Sequence, residues 1–392
     1  MNQLPISNQD LSPLPILDGD LEGAAMRGAW LEVDLGAIAS NVRALKAWVP
    51  PHTHLMAVVK ADGYGHGAMA VARSALGAGA DWLGVATVAE GLRLRALGFT
   101  QPMLLLGLVV PDAYRTAIAS DLQMVVGSEE ALRLIAEAAT ELGRPAKIHL
   151  KVDTGMTRVG AAMEQAEPLA RMALASPHVE LVGLMSHMAT ADAPDPAYAE
   201  LQLGRFAELE ARLALPPSVL RHAANSAGTL LFPQAHYSMV RPGLLIYGIP
   251  PRPDARLPFS LKRAMSLTAR ITQLREVPPG VPVGYDGTFV TARPTRLAVL
   301  PAGYADGLPR ALSNRQAVLV GGVRCPIVGN VSMDQCTVDV TEIDARLGDP
   351  AVLLGEQLGG SIQVEEWASA AETIPYEIIC GLGQRLPKVY RS

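Results

Sequence analysis

The octapeptide Lys60-Ala61-Asp62-Gly63-Tyr64-Gly65-His66-Gly67 holds the residue types in this chain best able to do chemistry. It follows an apolar run, Leu55 to Val59, that reads as a fully buried strand. A lysine at the end of such a strand is out of place. Desolvating an ammonium is costly, and lysine is rarely buried without a partner. The same cost depresses the amine pKa, which suits it to Schiff-base formation and proton transfer. The plain alternative is a strand-end lysine snorkelling to solvent. The length and composition of the octapeptide weigh against it, and its glycines let backbone approach a ligand closely.

The elements that must position this lysine are legible downstream. Strand-like runs fall at Leu55–Lys60, Trp82–Ala86, Met103–Leu106, Gln123–Val126, Ala146–Asp153, Leu181–Ser186, Leu220–Ala224 and Met239–Arg241. Helix-like segments separate them, among them Ala68–Leu76, Glu90–Leu97, Glu129–Leu142, Glu164–Ala175 and Ala197–Leu213. Asp34 is placed to cap a further helix whose apolar face is Leu35, Ile38, Val42 and Leu45. Strands alternating with helices over this length fit a (β/α)₈ TIM-like barrel better than an open sheet. Beyond a proline-rich stretch at Pro250–Pro258, β-rich runs dominate (Ser266–Val277, Thr295–Leu300, Ala317–Val320, Gln335–Val340, Ala351–Leu354), with one helix-like segment near Glu365–Ala371. The expected fold class is therefore α/β plus β: an N-terminal barrel over residues 29–260, then a C-terminal mainly-β domain over 261–392. Residues 1–28 read as a loosely ordered extension.

Chemistry in such a barrel sits at the carboxyl ends of the strands, and the unusual polar residues collect there. Lys151 to Arg158 follows the fifth strand, Ser186-His187 the sixth, His222 to Ser226 the seventh and Arg241-Pro242-Gly243 the eighth. Loops after the last two strands often bind phosphate. Ser226 and the backbone near Gly243 are placed for that. A Schiff-base lysine beside a phosphate site points to pyridoxal 5′-phosphate. Each residue also has a structural reading: His187 as a core histidine, Arg158 as a surface ion-pair residue, Lys151 as half of a buried ion pair.

Composition narrows the partners. A net charge of −5 with interspersed signs argues against nucleic acid. No apolar run reaches the roughly 18 residues that span a membrane. Cys325, Cys336 and Cys380 show neither metal-ligand spacing nor a disulfide framework, and residues 1–28 lack the layout of a secretory signal, so a reduced, cytoplasmic setting is expected.

The chain resembles the alanine racemases, fold-type III pyridoxal-phosphate enzymes. The resemblance runs from Trp30-Leu31-Glu32-Val33-Asp34-Leu35 to Leu386-Pro387-Lys388-Val389-Tyr390. It rests on the Lys60 octapeptide, Lys151–Gly160, Ser186–Asp192, His222–Ser226, Val240–Gly248, Pro301–Gly307, Ser332–Cys336 and Pro375–Cys380. It implies a homodimer with shared active sites, in which strand 30–34 joins the β domain. Lys60 would hold the cofactor and act as one proton-transfer base. Tyr285, donated by the other subunit, would be the opposite-face base. Tyr64, Ser226, Gly243 and Tyr376 would bind the phosphate, with Asn225 beside them. His187 would lie by the ring, and Arg241 would hydrogen-bond its nitrogen. Arg158 would reach the substrate carboxylate, and Met333, Asp334 and Tyr304 would line the access route. Lys151 matches a lysine carbamylated in some members. The implied activity is interconversion of L- and D-alanine, supplying peptidoglycan synthesis. A broader or serine-preferring racemase of the same fold is the alternative.

That chemistry explains the residue types. Racemisation removes a proton from one face of the α-carbon and returns one to the other, so two bases on opposite faces suffice. A tyrosine serves only if neighbouring charges lower its pKa from about 10. An arginine cannot be expected to protonate the ring, so electron withdrawal is weaker and transamination is disfavoured.

Overall fold

The computed structural model describes residues 21–383 and 385–392. Among these, residues 38–63 and 71–262 form one compact unit, and residues 21–37, 64–70 and 263–392 form a second.

The first unit is built on eight parallel strands. They are β2 (His54–Val58), β3 (Trp82–Val85), β4 (Met103–Leu105), β5 (Gln123–Val126), β6 (Ala146–Lys151), β7 (Val179–Met185), β8 (Leu220–His222) and β9 (Met239–Val240). The sheet order is β8-β7-β6-β5-β4-β3-β2-β9. The Ser238 amide donates to Arg221 O and the Arg241 amide to Ala224 O, each at 3.0 Å, so β8 and β9 come together and nearly close the barrel. Strands buried on both faces are mostly apolar. Met56, Trp82, Leu104, Val125, Met185 and Met239, from six different strands, pack into one core cluster. The helices Ala68–Gly77, Glu129–Leu142 and Ala197–Leu213 follow the expected bounds closely. A helix at Tyr114–Ala119 was not foreseen. Its six residues are too few for a periodic pattern to stand out.

The second unit is mainly β. The strand β1 (Ala29–Asp34) pairs antiparallel with Met265–Arg270 and parallel with Lys388–Arg391. It thus belongs to the sheet that runs 323–326, 317–320, 350–357, 265–270, 29–34, 388–391. Strands 273–277, 295–300 and 336–339 make a second sheet. Asp34 caps the following helix as expected, its Oδ1 accepting from the Ala37 amide at 2.7 Å.

Two local readings are corrected here. Residues 21–27, taken as part of a loose extension, form the helix Leu21–Arg27; residues 1–20 lie outside the described residues. Arg27 reaches both carboxylate oxygens of the fully buried Asp306, at 2.9 and 2.8 Å, and this pairing gives the helix its anchor. A second C-terminal helix, Pro375–Gly381, accompanies Val364–Ala370. Its proline stands in the first turn, where no backbone donor is needed. Gly65 and Gly67 also serve the packing of the chain. A Cβ at Gly65 (φ +82°) would run into Ile379 O, and one at Gly67 (φ +94°) into the Tyr390 hydroxyl.

Candidate active site

The strand β2 stops at Val58, two residues short of Lys60. Lys60 instead opens a left-handed turn: φ is 52° at Ala61, 52° at Asp62, 63° at Gly63 and 52° at Tyr64. The Gly63 amide closes it on Val59 O at 2.8 Å. Left-handed backbone costs roughly 1–2 kcal/mol for each non-glycine residue, so surrounding contacts must hold the turn. Such strain collects where a side chain must be aimed.

The barrel mouth is cationic. Lys60, Lys151, Arg158 and Arg241 stand at or just beyond the carboxyl ends of β2, β6 and β9. Lys151 is buried, and its pKa is lowered to about 8, first by burial and then by Arg241, Arg158 and Lys60, with Asp153 opposing. For Asp153, burial alone would raise the pKa, but amide donors from Thr157, Gly155 and Met156 hold the carboxyl below its ordinary value. Arg158 lies exposed on the loop after β6. That loop leaves and returns at one point, because Ala161 N–H bonds Lys151 O at 2.8 Å and Asp153 N–H bonds Ala161 O at 2.9 Å.

Arg241 is buried, and desolvation pushes its pKa down to about 10, which leaves it charged near neutrality. It donates to His222 Nδ1 at 2.8 Å, Ser186 O at 2.8 Å, Ala223 O at 3.1 Å and His187 Nδ1 at 3.2 Å. A guanidinium has only donors, so both imidazoles accept through Nδ1 and carry their proton on Nε2. The relay continues inward: His222 Nε2 donates to His149 Nδ1 at 2.8 Å, and His149 Nε2 donates to Gln123 Oε1 at 2.9 Å. All three histidines are held neutral by burial and by the Arg241 charge, His149 near 3 and the other two well below the ordinary value. Gln123 and His149 were not anticipated. Their signal was a polar residue inside an otherwise apolar strand.

The loops after β8 and β9 meet at Ser226. Its Oγ accepts from the Gly243 amide at 2.8 Å, which leaves the hydroxyl proton to donate elsewhere. Asn225 caps the helix Ser226–Leu231 through its Oδ1 and the Gly228 amide at 2.9 Å, and its Nδ2 donates to Met188 O at 3.3 Å. Gln202, also unanticipated, ties two mouth loops together by donating to Thr154 Oγ1 at 3.2 Å and His187 O at 3.0 Å.

The second unit gathers its own group. The Tyr64 and Tyr376 rings lie 6.0 Å apart, and the Tyr64 pKa is raised by burial and by neighbouring Tyr376 and Cys380. The Tyr304 amide donates to Ser332 O and the Ala305 amide to Met333 O, both at 3.0 Å, so Tyr304, Met333 and Asp334 stand on two joined loops. Arg385 bridges Asp334 at 2.6 Å and Asp306 at 3.3 Å. Tyr285 is 71 % exposed, and Asn330 Nδ2 donates to its carbonyl at 3.0 Å. Among the described residues, no three His, Cys, Asp or Glu side chains are grouped to hold a metal ion, and no helix is long and apolar enough to cross a membrane.

The donor set in the barrel fits a phosphorylated aldehyde. It offers an amine on a held turn, a buried guanidinium aimed by imidazoles, a hydroxyl whose acceptor role is taken, and cations outnumbering carboxylates.

Comparison with known proteins places the chain in a family. The family model "Alanine racemase, N-terminal domain" matches residues 33–251, and "Alanine racemase, C-terminal domain" matches 264–390. The alanine racemase of Symbiobacterium thermophilum is 46 % identical over 375 residues, covering 95 % of this chain and 98 % of that protein. The crystal structure of alanine racemase from D-cycloserine-producing Streptomyces lavendulae is 42 % identical with a TM-score of 0.88, covering 93 % of this chain and 97 % of that one. That of Bartonella henselae, which carries covalently bound pyridoxal phosphate, is 32 % identical with a TM-score of 0.84, covering 93 % and 99 %. With both domains matched in order and close relatives spanning nearly its whole length, the chain belongs to the alanine racemase family.

Proposed function

We propose that this protein is an isomerase that interconverts L- and D-alanine, with pyridoxal 5′-phosphate held on Lys60, and that it provides D-alanine for peptidoglycan in the cytoplasm. The observation that carries this reading is the cationic barrel mouth, where Lys60 on its left-handed turn shares a strand-end face with the buried Arg241. The cofactor, when bound, supplies an aldehyde for attachment and a ring that draws electrons from the substrate α-carbon.

The chain supplies the rest. Ser226 and the Gly243 amide would hold the phosphate, Tyr64 and Tyr376 would do so as the family resemblance implies, and Asn225 caps the Ser226 helix. Arg241, backed by His222 and beside His187, would donate to the ring nitrogen without surrendering a proton. Arg158 takes the substrate carboxylate. Lys60 moves a proton at the α-carbon on one face and Tyr285, from a second copy of the chain, on the other. The exposure of Tyr285 suits a residue contributed across a dimer. Tyr304, Met333 and Asp334 border the access route and limit the side chain admitted.

Lys151 completes the design as a carbamate. A neutral amine attacks carbon dioxide and releases one proton to solvent as the N–C bond forms, and a pKa near 8 leaves part of the population neutral at physiological pH. The product is an anion among Arg158, Arg241 and Lys60. Unmodified, Lys151 is costly. Its folded pKa lies below its ordinary 10.5, so the penalty is present in full below about pH 8 and fades as pH rises towards 10.5. A gap of that size is worth about 3 kcal/mol. Carbon-13 NMR in labelled bicarbonate is expected to show one carbamate carbon that is lost in Lys151→Arg. A spectrum without it rejects the modification.

The assignment as a whole is tested by chiral product analysis with L-alanine and L-serine, alongside borohydride reduction and peptide mapping. Formation of D-alanine and a pyridoxyl group on Lys60 are expected. Optically stable alanine with unlabelled Lys60 rejects the proposal.

A further inference from the structure

We infer that Glu90 is a positioning residue for Lys60, its carboxylate clamping the Lys60–Ala61 peptide unit to the loop after β3. This rests on the reading of Lys60 as the attachment lysine.

Glu90 Oε1 accepts from the Ala61 amide at 2.8 Å, while Oε2 accepts from the Ala86 amide at 2.7 Å and the Thr87 amide at 3.3 Å. One side chain therefore ties together the loops that follow two neighbouring strands. The Thr87 contact belongs to a capping box, in which the Glu90 amide also bonds Thr87 Oγ1 at 3.2 Å. Capping alone needs only that contact, yet it is the longest of the three. The two shorter ones go to Ala61 and Ala86, outside the helix.

The Ala61 amide is part of the planar unit that starts at the Lys60 Cα. Holding it fixes the backbone torsion that follows Lys60, and hence the direction from which the side chain departs. The turn needs such a hold. Ala61, Asp62 and Tyr64 take left-handed φ values that their side chains disfavour. An ionised carboxylate is a stronger acceptor than a neutral oxygen. A lysine that must form a covalent bond, release it and then act as a base has to return to one place each time, and that is what a clamp at its Cα provides.

The test compares Glu90→Gln with Thr87→Ala in the full-length protein. Glutamine keeps the length but replaces one acceptor oxygen with an amide that faces N–H donors, so one of the two loops is released. Thr87→Ala weakens the capping box and leaves the Glu90–Ala61 contact in place. Each protein is depleted of pyridoxal 5′-phosphate, its melting temperature measured, and the rate and affinity of reloading followed by absorbance and borohydride trapping at Lys60. Glu90→Gln is expected to reload about ten- to a hundredfold more weakly at temperatures where it is fully folded, with Thr87→Ala close to wild type. Equal reloading of Glu90→Gln and wild type overturns the inference, as does an equal loss in Thr87→Ala. If Glu90→Gln does not fold, Glu90→Asp replaces it: the anion is kept but is one methylene too short to span both loops, and the same weakening is expected. A wild-type protein that traps nothing at Lys60 overturns the proposed function and this inference with it. Normal trapping in wild type with an unaffected Glu90 variant overturns this inference alone.

Discussion

Lys60→Ala is expected to lower alanine racemisation by at least about 10⁴-fold, the upper end of what one positioned base contributes. The loss is this large because a single nitrogen has two jobs. In the proposed function it would be the covalent attachment point and, after release, the base on one face of the α-carbon. The remaining mouth residues (Arg241, Ser226, the Gly243 amide and Arg158) still present their donors, so the variant should keep measurable, non-covalent affinity for pyridoxal 5′-phosphate. The visible band of the attached cofactor should vanish, and borohydride should no longer fix label in the 60–67 peptide. Melting temperature should fall little, because Lys60 is only partly buried at the rim of the barrel. A variant that retains a tenth of wild-type activity with label at another lysine would move the chemistry away from this turn.

Much of the framework around that lysine is legible in the residues themselves. Parallel strands buried on both faces are nearly continuous apolar runs, so Leu55–Val59 and Trp82–Val85 announce themselves, and Gln123–Val126 does so despite its polar first residue. Helices such as Glu129–Leu142 carry both a stripe and a cap, with Ser128 accepting from the Ala131 amide. What stays hidden is set by tertiary contact. The left-handed turn at Ala61–Tyr64 contains one glycine, and nothing in Ala61 or Asp62 favours positive φ strongly enough to foretell it. The Gln123–His149–His222–Arg241 relay joins residues from three strands and the residue just after a fourth, and each looks like an isolated polar residue until the barrel closes. Gly65 and Gly67 have a further role that the octapeptide does not disclose: their small size is demanded by chain packing at Ile379 and Tyr390, which lie more than 300 residues away in sequence. The positions of Lys60, Lys151, His187, Ser226 and Arg241 are readable because strand ends are readable. The contacts that aim them are not.

Tyr285→Phe is expected to separate two processes that run together in the intact enzyme. Inversion needs a proton taken from one face and another delivered to the opposite face, so removing either base should slow racemisation in both directions by about 10²- to 10⁴-fold. Exchange of the α-hydrogen with solvent needs only one base on one face. With Lys60 intact, the enantiomer whose hydrogen faces that lysine should still exchange in deuterium oxide without inverting, while its mirror image neither exchanges nor inverts. The phenyl ring keeps the shape of the residue, and the Asn330 bond to the Tyr285 carbonyl does not involve the hydroxyl, so the loop should stay in place. Because the residue is proposed to act in the other subunit's site, mixing Tyr285→Phe with Lys60→Ala should restore activity. Each mixed dimer has one site with both bases and one with neither, and random exchange makes half the dimers mixed, which gives about a quarter of the wild-type rate per subunit. Recovery on mixing locates the phenol across the interface. Failure to recover while the subunits demonstrably exchange places both bases in a single chain. Deuterium entering both enantiomers equally in Tyr285→Phe would show that the second base is a different residue.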